Sequence, residues 1–317
     1  MANGNGPVRL DASAPDFEDA FTALLSSKRE TDADFTASVD KIVDAVAEEG
    51  DAALFRFTEQ FDRLALTGET VAVTAAEIAA AEASIDRETR AALDLAAARI
   101  EAFHARQMPE DFSYTDDAGV GLGLRWTAVQ RVGLYVPGGQ AAYPSSVLMN
   151  ALPAKVAGVR DVVMCVPAPG GKLNPLVLTA AKVAGVGRIF KVGGAQAVAA
   201  MAHGTASIPA VDKIVGPGNA YVAAAKREVY GTVGIDSLAG PSEILVIADQ
   251  TSNPAWIAAD LLSQAEHDTE AQSILITDDA DFAEQVTQEV EQQLVALPRQ
   301  DIARQSWETH GAIVIVE

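Results

Sequence analysis

The chain has 317 residues, of which 49% are hydrophobic and 21% charged, so it has room for roughly two globular domains and is not collagen-like, low-complexity or wholly disordered. Acidic residues number 44 against 23 basic ones, and the net charge of −21 argues against nucleic acid or an anionic membrane as a partner. Cys165 is the only cysteine, which excludes an intrachain disulfide and favours a reducing compartment, the cytoplasm.

The first third of the chain is predicted to be mostly helical. An apolar stripe before Gly50 predicts one helix, and Asp51 is expected to cap a second one. A third, alanine-rich helical stretch runs from about 75 to 108, with a break near Asp86. This region has no convergent polar cluster, so we interpret it as scaffold.

From Trp126 onward the pattern changes to short β-branched runs, each followed by glycine or proline and then by an apolar helix. Apolar strands that alternate with helices are typical of a parallel sheet covered by helices on both faces, so we predict an α/β fold. The predicted strands are 132–136, 161–166, 188–192, 213–215, 244–248, 273–277 and 312–316.

The last predicted strand lies at the end of the sequence, next to Glu317, and no helix follows it. An α/β domain rarely leaves that face of its sheet bare. We therefore expect the given sequence to lack a C-terminal part.

Three glycine-bearing turns follow three of the predicted strands: PGG at 137–139, GGAQ at 193–196 and GPGN at 216–219. Glycine lets the backbone approach a ligand, and a helix that starts just beyond the turn offers free N–H groups. In a parallel sheet such turns gather at one edge, where ligands bind. No strict G-x-G-x-x-G is present, so the ordinary dinucleotide fingerprint is absent.

Three polar side chains lie in or beside these turns: Tyr135, Gln196 and Asn219. A tyrosine offers a stacking face and a hydroxyl, and the two amides can bind a ribose or a nicotinamide without adding charge. Asn219 has an equally simple alternative interpretation, as the N-cap of the helix that follows it.

A second polar cluster, QAEHD at 264–268, closes a predicted helix. Gln264 and His267 are three residues apart and share a helix face, and their amide oxygen and imidazole nitrogen are donors that zinc accepts. Two donors do not make a zinc site, which needs about four. Taken alone, His267 is better explained as a cation at a helix end or a satisfied core histidine.

Five motifs occur in the following order along the chain: VGLYVPGG at 132–139, GGAQA at 193–197, VGPGN at 215–219, AGPSE at 239–243 and QAEHD at 264–268. Taken together in this order, they resemble the histidinol dehydrogenase family. The resemblance extends toward the N-terminus, to GDAAL at 50–54 and FD at 61–62.

The resemblance implies an NAD- and zinc-dependent oxidation of L-histidinol, through L-histidinal, to L-histidine in histidine biosynthesis. It implies two Rossmann-like α/β lobes in a homodimer, for which we expect a helical arm at 1–30, a discontinuous lobe of 31–125 with 238–317, and a second lobe at 126–237. The site residues it implies are Tyr135, Gln196 and Asn219 for NAD, Ser242 for the substrate, and Gln264 with His267 for zinc and substrate.

The resemblance also implies a Glu-His pair as the base system and two further zinc ligands, an aspartate and a histidine, at positions beyond Glu317. No catalytic residue is therefore assigned, and we expect the 317-residue chain to be inactive. Three alternatives stay open: a family relative that oxidises another small amino or sulfonate alcohol, an aldehyde dehydrogenase with Cys165 as nucleophile, and an inactive fragment with a binding role.

Overall fold

The structure is a computed structural model that describes residues 6–27, 32–138, 143–238 and 242–317. The helices are α1 Phe17–Ser27, α2 Asp32–Glu49, α3 Asp51–Asp62, α4 Ala75–Ser84, α5 Arg87–Ala105, α6 Pro144–Val156, α7 Pro175–Ala184, α8 Gly194–His203, α9 Ala220–Val229, α10 Pro254–Ala265, α11 Ala280–Leu294 and α12 Gln300–His310. The strands are β1 Val8–Asp11, β2 Phe112–Thr115, β3 Gly121–Leu124, β4 Arg131–Tyr135, β5 Asp161–Cys165, β6 Arg188–Phe190, β7 Lys213–Val215, β8 Gly234–Ile235, β9 Glu243–Ile247, β10 Gln272–Thr277 and β11 Ala312–Ile315.

The chain divides into two compact units. The central unit is Asp34–Leu238, and the split unit joins Met1–Ala33 to Ala239–Glu317. The sequence predicted that residues 31–125 belong with 238–317. The structure differs, because α3, α4 and α5 pack against α8, α7 and α6 of the central unit.

The central unit is built on a five-stranded parallel sheet in the order β6-β5-β4-β7-β8. Alternate residues of β4 enter different cores, with Tyr135 on one face of the sheet and Leu134 on the other. The first core is closed by α2, α3, α8 and α9, and the second by α4 to α7. The predicted α/β fold with helices on both faces of a parallel sheet is therefore confirmed.

Polar side chains set the starts of the early helices. Asp86 caps α5 by accepting a hydrogen bond from the Thr89 N–H at 2.7 Å, which explains the predicted break. The prediction for Asp51 is wrong, because Gly50 is the N-cap of α3 and the Asp51 carboxylate accepts a hydrogen bond from the Ser207 hydroxyl at 2.7 Å. Asp51 thus ties α3 to a loop of the same unit.

The split unit holds a four-stranded parallel sheet in the order β1-β11-β10-β9, with α10, α11 and α12 on its core. Strand β1 pairs with β11, starting with Val8 opposite Ala312. The expected helical arm at 1–30 is therefore partly wrong, since its described part supplies an edge strand as well as α1. The seven predicted strands are present, each with ends within two residues of the prediction.

Among the described residues, no helix combines the length and the apolar character needed to cross a membrane.

Candidate functional site

The order of the central sheet identifies the edge at which a ligand binds. From β4 the chain proceeds to β5 and β6 on one side, and from β7 to β8 on the other. The strand order therefore reverses between β4 and β7, and in open α/β sheets ligands bind outside the carboxyl ends of the strands at this switch point. The turns at 136–138, 193–194 and 216–219 all lie at this edge. Gly139, the last residue of the first predicted turn, lies outside the described residues.

The three turns contact one another. The Gly194 N–H donates a hydrogen bond to the Tyr135 hydroxyl at 3.1 Å, which joins β4 to the start of α8. Pro167, after β5, lies so close to Gly138 and Gly193 that a Cβ at either glycine would overlap its ring. A Cβ at Gly216 would overlap the Tyr135 carbonyl oxygen. These glycines are thus required by packing between the turns, and the packing brings the turns together.

Tyr135 lies at the centre of this arrangement. Its side chain is 4% exposed, and burial raises the pKa of its hydroxyl to about 12. The hydroxyl is therefore neutral at physiological pH. It accepts from Gly194 and keeps its own proton to donate.

Gln196 is the side chain that most clearly points to a ligand. It lies in the first turn of α8 and is 1% exposed, yet its Oε1 atom has no hydrogen-bond partner within the described part of the chain. Leaving a buried acceptor unpaired costs about 1–3 kcal/mol. The first N–H groups of α8 also lack intrahelical partners, and Gly193 supplies no capping side chain. Donors and acceptors are thus available together for a polar ligand.

Asn219 is the N-cap of α9, as its alternative interpretation predicted. Its side-chain oxygen accepts a hydrogen bond from the Val222 N–H at 3.2 Å, and the residue is exposed. Because the side-chain oxygen is used in this way, a hydrogen bond to a ligand would be donated by the side-chain NH₂ group.

Two residues that the sequence analysis missed hold the third turn. Lys226 on α9 is 3% exposed, and its Nζ donates to the Gly216 carbonyl at 2.5 Å and to the Asp236 carboxylate at 2.6 Å. The other oxygen of Asp236 accepts from the Gly216 N–H at 2.8 Å. The sequence does indicate that Lys226 is buried, because it lies on the apolar stripe of α9 with Val222 and Val229.

Asp62, in the FD motif, is a third missed residue. Burial raises the pKa of its carboxyl group, and its Oδ2 atom has no hydrogen-bond partner among the described residues. Its charge is close enough to Tyr135 to raise the pKa of that hydroxyl slightly further. Asp62 thus belongs to the surroundings of Tyr135.

The predicted substrate and zinc residues lie in the split unit. Ser242 immediately precedes β9, and its carbonyl accepts from the Gln272 N–H at 3.1 Å; residues 239–241 of its motif lie outside the described residues. Gln264 lies in the last turn of α10, half-buried, with a buried Nε2 atom that has no described partner. His267 lies one residue beyond the C-cap of α10 and is exposed. Its backbone N–H donates a hydrogen bond to the backbone carbonyl of Gln264 at 3.0 Å.

These residues do not form a zinc site on their own. Within the described ranges, no group of three or more His, Cys, Asp or Glu side chains could hold a metal ion. Gln264 and His267 offer two donors, and zinc takes about four.

Cys165 is a buried core residue of β5. It is 0% exposed, and burial raises the pKa of its thiol to about 12. A neutral thiol inside the sheet cannot act as a nucleophile, so the aldehyde dehydrogenase alternative lacks its reactive group.

The parallel sheet with helices on both faces and a switch point between β4 and β7 places the central unit in the class of doubly wound α/β proteins, which bind ligands at that edge of the sheet. The family model described as histidinol dehydrogenase matches residues 25–317. The chain belongs to the histidinol dehydrogenase family and is thus a member of a family of oxidoreductases.

Relatives of known name agree with this assignment. The histidinol dehydrogenase of Bradyrhizobium diazoefficiens is 62% identical over 311 residues, which are 98% of this chain and 72% of the relative. That of Rhodopseudomonas palustris is 62% identical over 310 residues, with the same coverage. The crystal structure of histidinol dehydrogenase from Elizabethkingia anophelis matches with a TM-score of 0.83 and 37% identity, over 99% of this chain and 72% of that one.

Proposed function

We propose that the protein oxidises L-histidinol, through L-histidinal, to L-histidine, with NAD as the hydride acceptor and zinc as a bound metal. Family membership supports the substrate and the place in histidine biosynthesis. The absence of a second cysteine from the sequence is compatible with a reducing compartment, and we place the reaction in the cytoplasm.

The observation that carries the NAD proposal is the unpaired Oε1 atom of Gln196. Gln196 lies in the first turn of α8, two residues after Gly194, whose N–H donates a hydrogen bond to the Tyr135 hydroxyl. An amide or hydroxyl hydrogen of a dinucleotide would satisfy this acceptor, and a pyrophosphate is favoured by free N–H groups at a helix start. The residues present therefore fit a dinucleotide.

The chain's own residues would bind and orient the cofactor. The bound NAD would supply the hydride acceptor for two successive oxidations, of the alcohol and then of the hydrated aldehyde. Tyr135 would donate its retained proton to a hydrogen-bond acceptor, Gln196 would accept a hydrogen bond, and Asn219 would donate from its amide. The turns bring the first two together before the cofactor arrives, so little ordering is required on binding.

We propose that Gln264 and His267 contribute two of the zinc donors and also contact the substrate, with Ser242 as a further substrate contact. The buried, unpaired amide of Gln264 supports a role for this side chain in binding. Zinc, when bound, would hold and polarise the alcohol. In protein extended to the full length of its relatives, we expect Gln264→Ala and His267→Ala each to lower the zinc content. Gln292→Ala, at an exposed glutamine of the split unit, is the control and should leave the zinc content unchanged.

We also propose a homodimer. In the hairpin β2–β3, Phe112 lies opposite Leu124 and Tyr114 opposite Leu122, so these four side chains share one face. All four are between 45% and 56% exposed. Exposed apolar faces of this kind mark protein interfaces. Sedimentation of Tyr114→Ser/Leu122→Ser is expected to show dissociation into monomers, and an unchanged dimer would contradict the use of this face.

The activity is tested by following NADH formation with L-histidinol. Because this chain spans 72% of its relatives' length, the assay uses protein extended to their full length. We expect two NADH per histidinol, and an absence of reaction with the extended protein would refute the proposal. Faster turnover of another small amino or sulfonate alcohol would favour that alternative substrate.

A further inference from the structure

The Gly216 peptide groups are held from both sides by one ion pair. Lys226 donates to the Gly216 carbonyl at 2.5 Å, and Asp236 accepts from the Gly216 N–H at 2.8 Å. Lys226 and Asp236 are themselves joined at 2.6 Å, and Asp236 also accepts from the Ser237 N–H at 2.7 Å. Both polar groups of one glycine, on the turn that follows β7, are thus bound to a charged side chain.

The backbone at Gly216 needs such support. Its φ of +114° lies in a region that side chains other than glycine rarely adopt, and its Cα faces the carbonyl of Tyr135 without room for a Cβ. Glycine also has the greatest freedom to leave this conformation, since its backbone is the least restricted. Hydrogen bonds to charged groups are the stronger ones, so the ion pair is suited to fix this turn.

A contribution to the stability of the fold does not by itself explain the buried Lys226–Asp236 ion pair. Burying a lysine ammonium, here 3% exposed, costs desolvation energy, and replacing a buried ion pair with apolar residues is often neutral or stabilising. What the pair does supply is a fixed shape. Because Lys226 is on α9, it also ties the Gly216 turn to the helix that begins at Asn219.

We infer that Lys226 and Asp236 are positioning residues for the cofactor, which hold the Gly216–Asn219 turn in the shape that binds NAD. The inference rests on the proposed NAD site and extends it to two residues that need not touch the cofactor. If the two residues position the turn, variants that still fold should nevertheless bind NAD more weakly.

The experiment is an isothermal titration of each variant with NAD, together with its melting temperature. Lys226→Met removes the ammonium, and Lys182→Met, at an exposed lysine of the same unit, is the matched control. Asp236→Ala removes both carboxylate oxygens, whereas Asp236→Asn keeps one oxygen for the Gly216 N–H. The double variant Lys226→Met/Asp236→Asn leaves no buried charge and provides a folded protein if a single variant does not fold.

We expect Lys226→Met, Asp236→Ala and the double variant to bind NAD about tenfold more weakly or worse, since each loses hydrogen bonds to a charged group. Asp236→Asn should lose less than Asp236→Ala, and Lys182→Met should bind like the wild type. Folded variants with wild-type NAD affinity would overturn the inference and leave the proposed function intact. A wild-type chain that does not bind NAD would overturn both.

Discussion

Replacing Gly216 with alanine tests how closely the turns at the sheet edge are packed. Gly216 has a φ of +114° and its N–H is bonded to Asp236. An alanine at such a φ is strained by about 1–3 kcal/mol. Its Cβ would also overlap the Tyr135 carbonyl oxygen, which belongs to the backbone of β4 and cannot rotate away.

The overlap adds to the strain, because overpacking in a well-packed core costs typically about 1–3 kcal/mol. We therefore expect Gly216→Ala to lower the free energy of unfolding by about 2–6 kcal/mol. Gly231→Ala is the matched control, since Gly231 has a φ of +106° but open space where its Cβ would lie. It should lose only the strain, about 1–3 kcal/mol.

Urea unfolding of both variants, followed by circular dichroism, gives the two free energies and their difference. Titration with NAD then shows whether the displaced turn still binds the cofactor, and we expect Gly216→Ala to bind far more weakly than Gly231→Ala. Equal destabilisation by the two variants, with equal NAD affinity, would refute the packing of the Gly216 turn against Tyr135.

Three further predictions concern single side chains. Hydrogen bonds from Lys191 and Thr74 to the Glu77 carboxylate outweigh the effect of burial and hold its pKa at about 2. Glu77→Gln should therefore lower the free energy of unfolding at neutral pH, by no more than about 1 kcal/mol because the pair is partly exposed. Melting curves should show the difference between variant and wild type vanish as pH falls from about 4.5 to 2. Burial raises the pKa of Asp62 above its ordinary value of 3.8, so the stability of the wild type falls as pH rises from that value through the raised pKa. Asp62→Asn should therefore melt at a higher temperature than the wild type at neutral pH and lose that advantage in acid. A lower melting temperature at neutral pH would contradict this. The buried thiol of Cys165 should resist alkylation until the protein unfolds. In the extended protein, Cys165→Ala should keep near-normal NADH formation. Loss of the aldehyde oxidation step in this variant would instead support the alternative in which Cys165 is the nucleophile of an aldehyde dehydrogenase.

The sequence predicted the repeated strands of the central sheet because buried parallel strands are continuous apolar runs between glycine and proline. Strands β1 and β8 were missed for a related reason: β1 comes before the alternating pattern begins, and β8 is only two residues long. The hairpin β2–β3 has apolar side chains on one face only, and short strands of this kind are hard to separate from loops.

For the candidate site, sequence reasoning found residues in the turns and missed the residues that support them. Gln196 was recognisable because it lies inside a glycine turn. Asp236 could not be assigned from spacing, since its contact with Gly216 depends on how β8 lies beside β7. The domain boundary was missed for the same reason, because the packing of α3 on α8 joins segments far apart in sequence.

The central claim is that the turns after β4, β6 and β7 hold NAD, and a crystal structure of the protein with NAD bound tests it most directly. We expect NAD at the carboxyl ends of β4 and β7, with a hydrogen bond to Gln196 Oε1 and contacts to Tyr135 and Asn219. NAD bound away from this edge, with Gln196 Oε1 still unpaired, would contradict it.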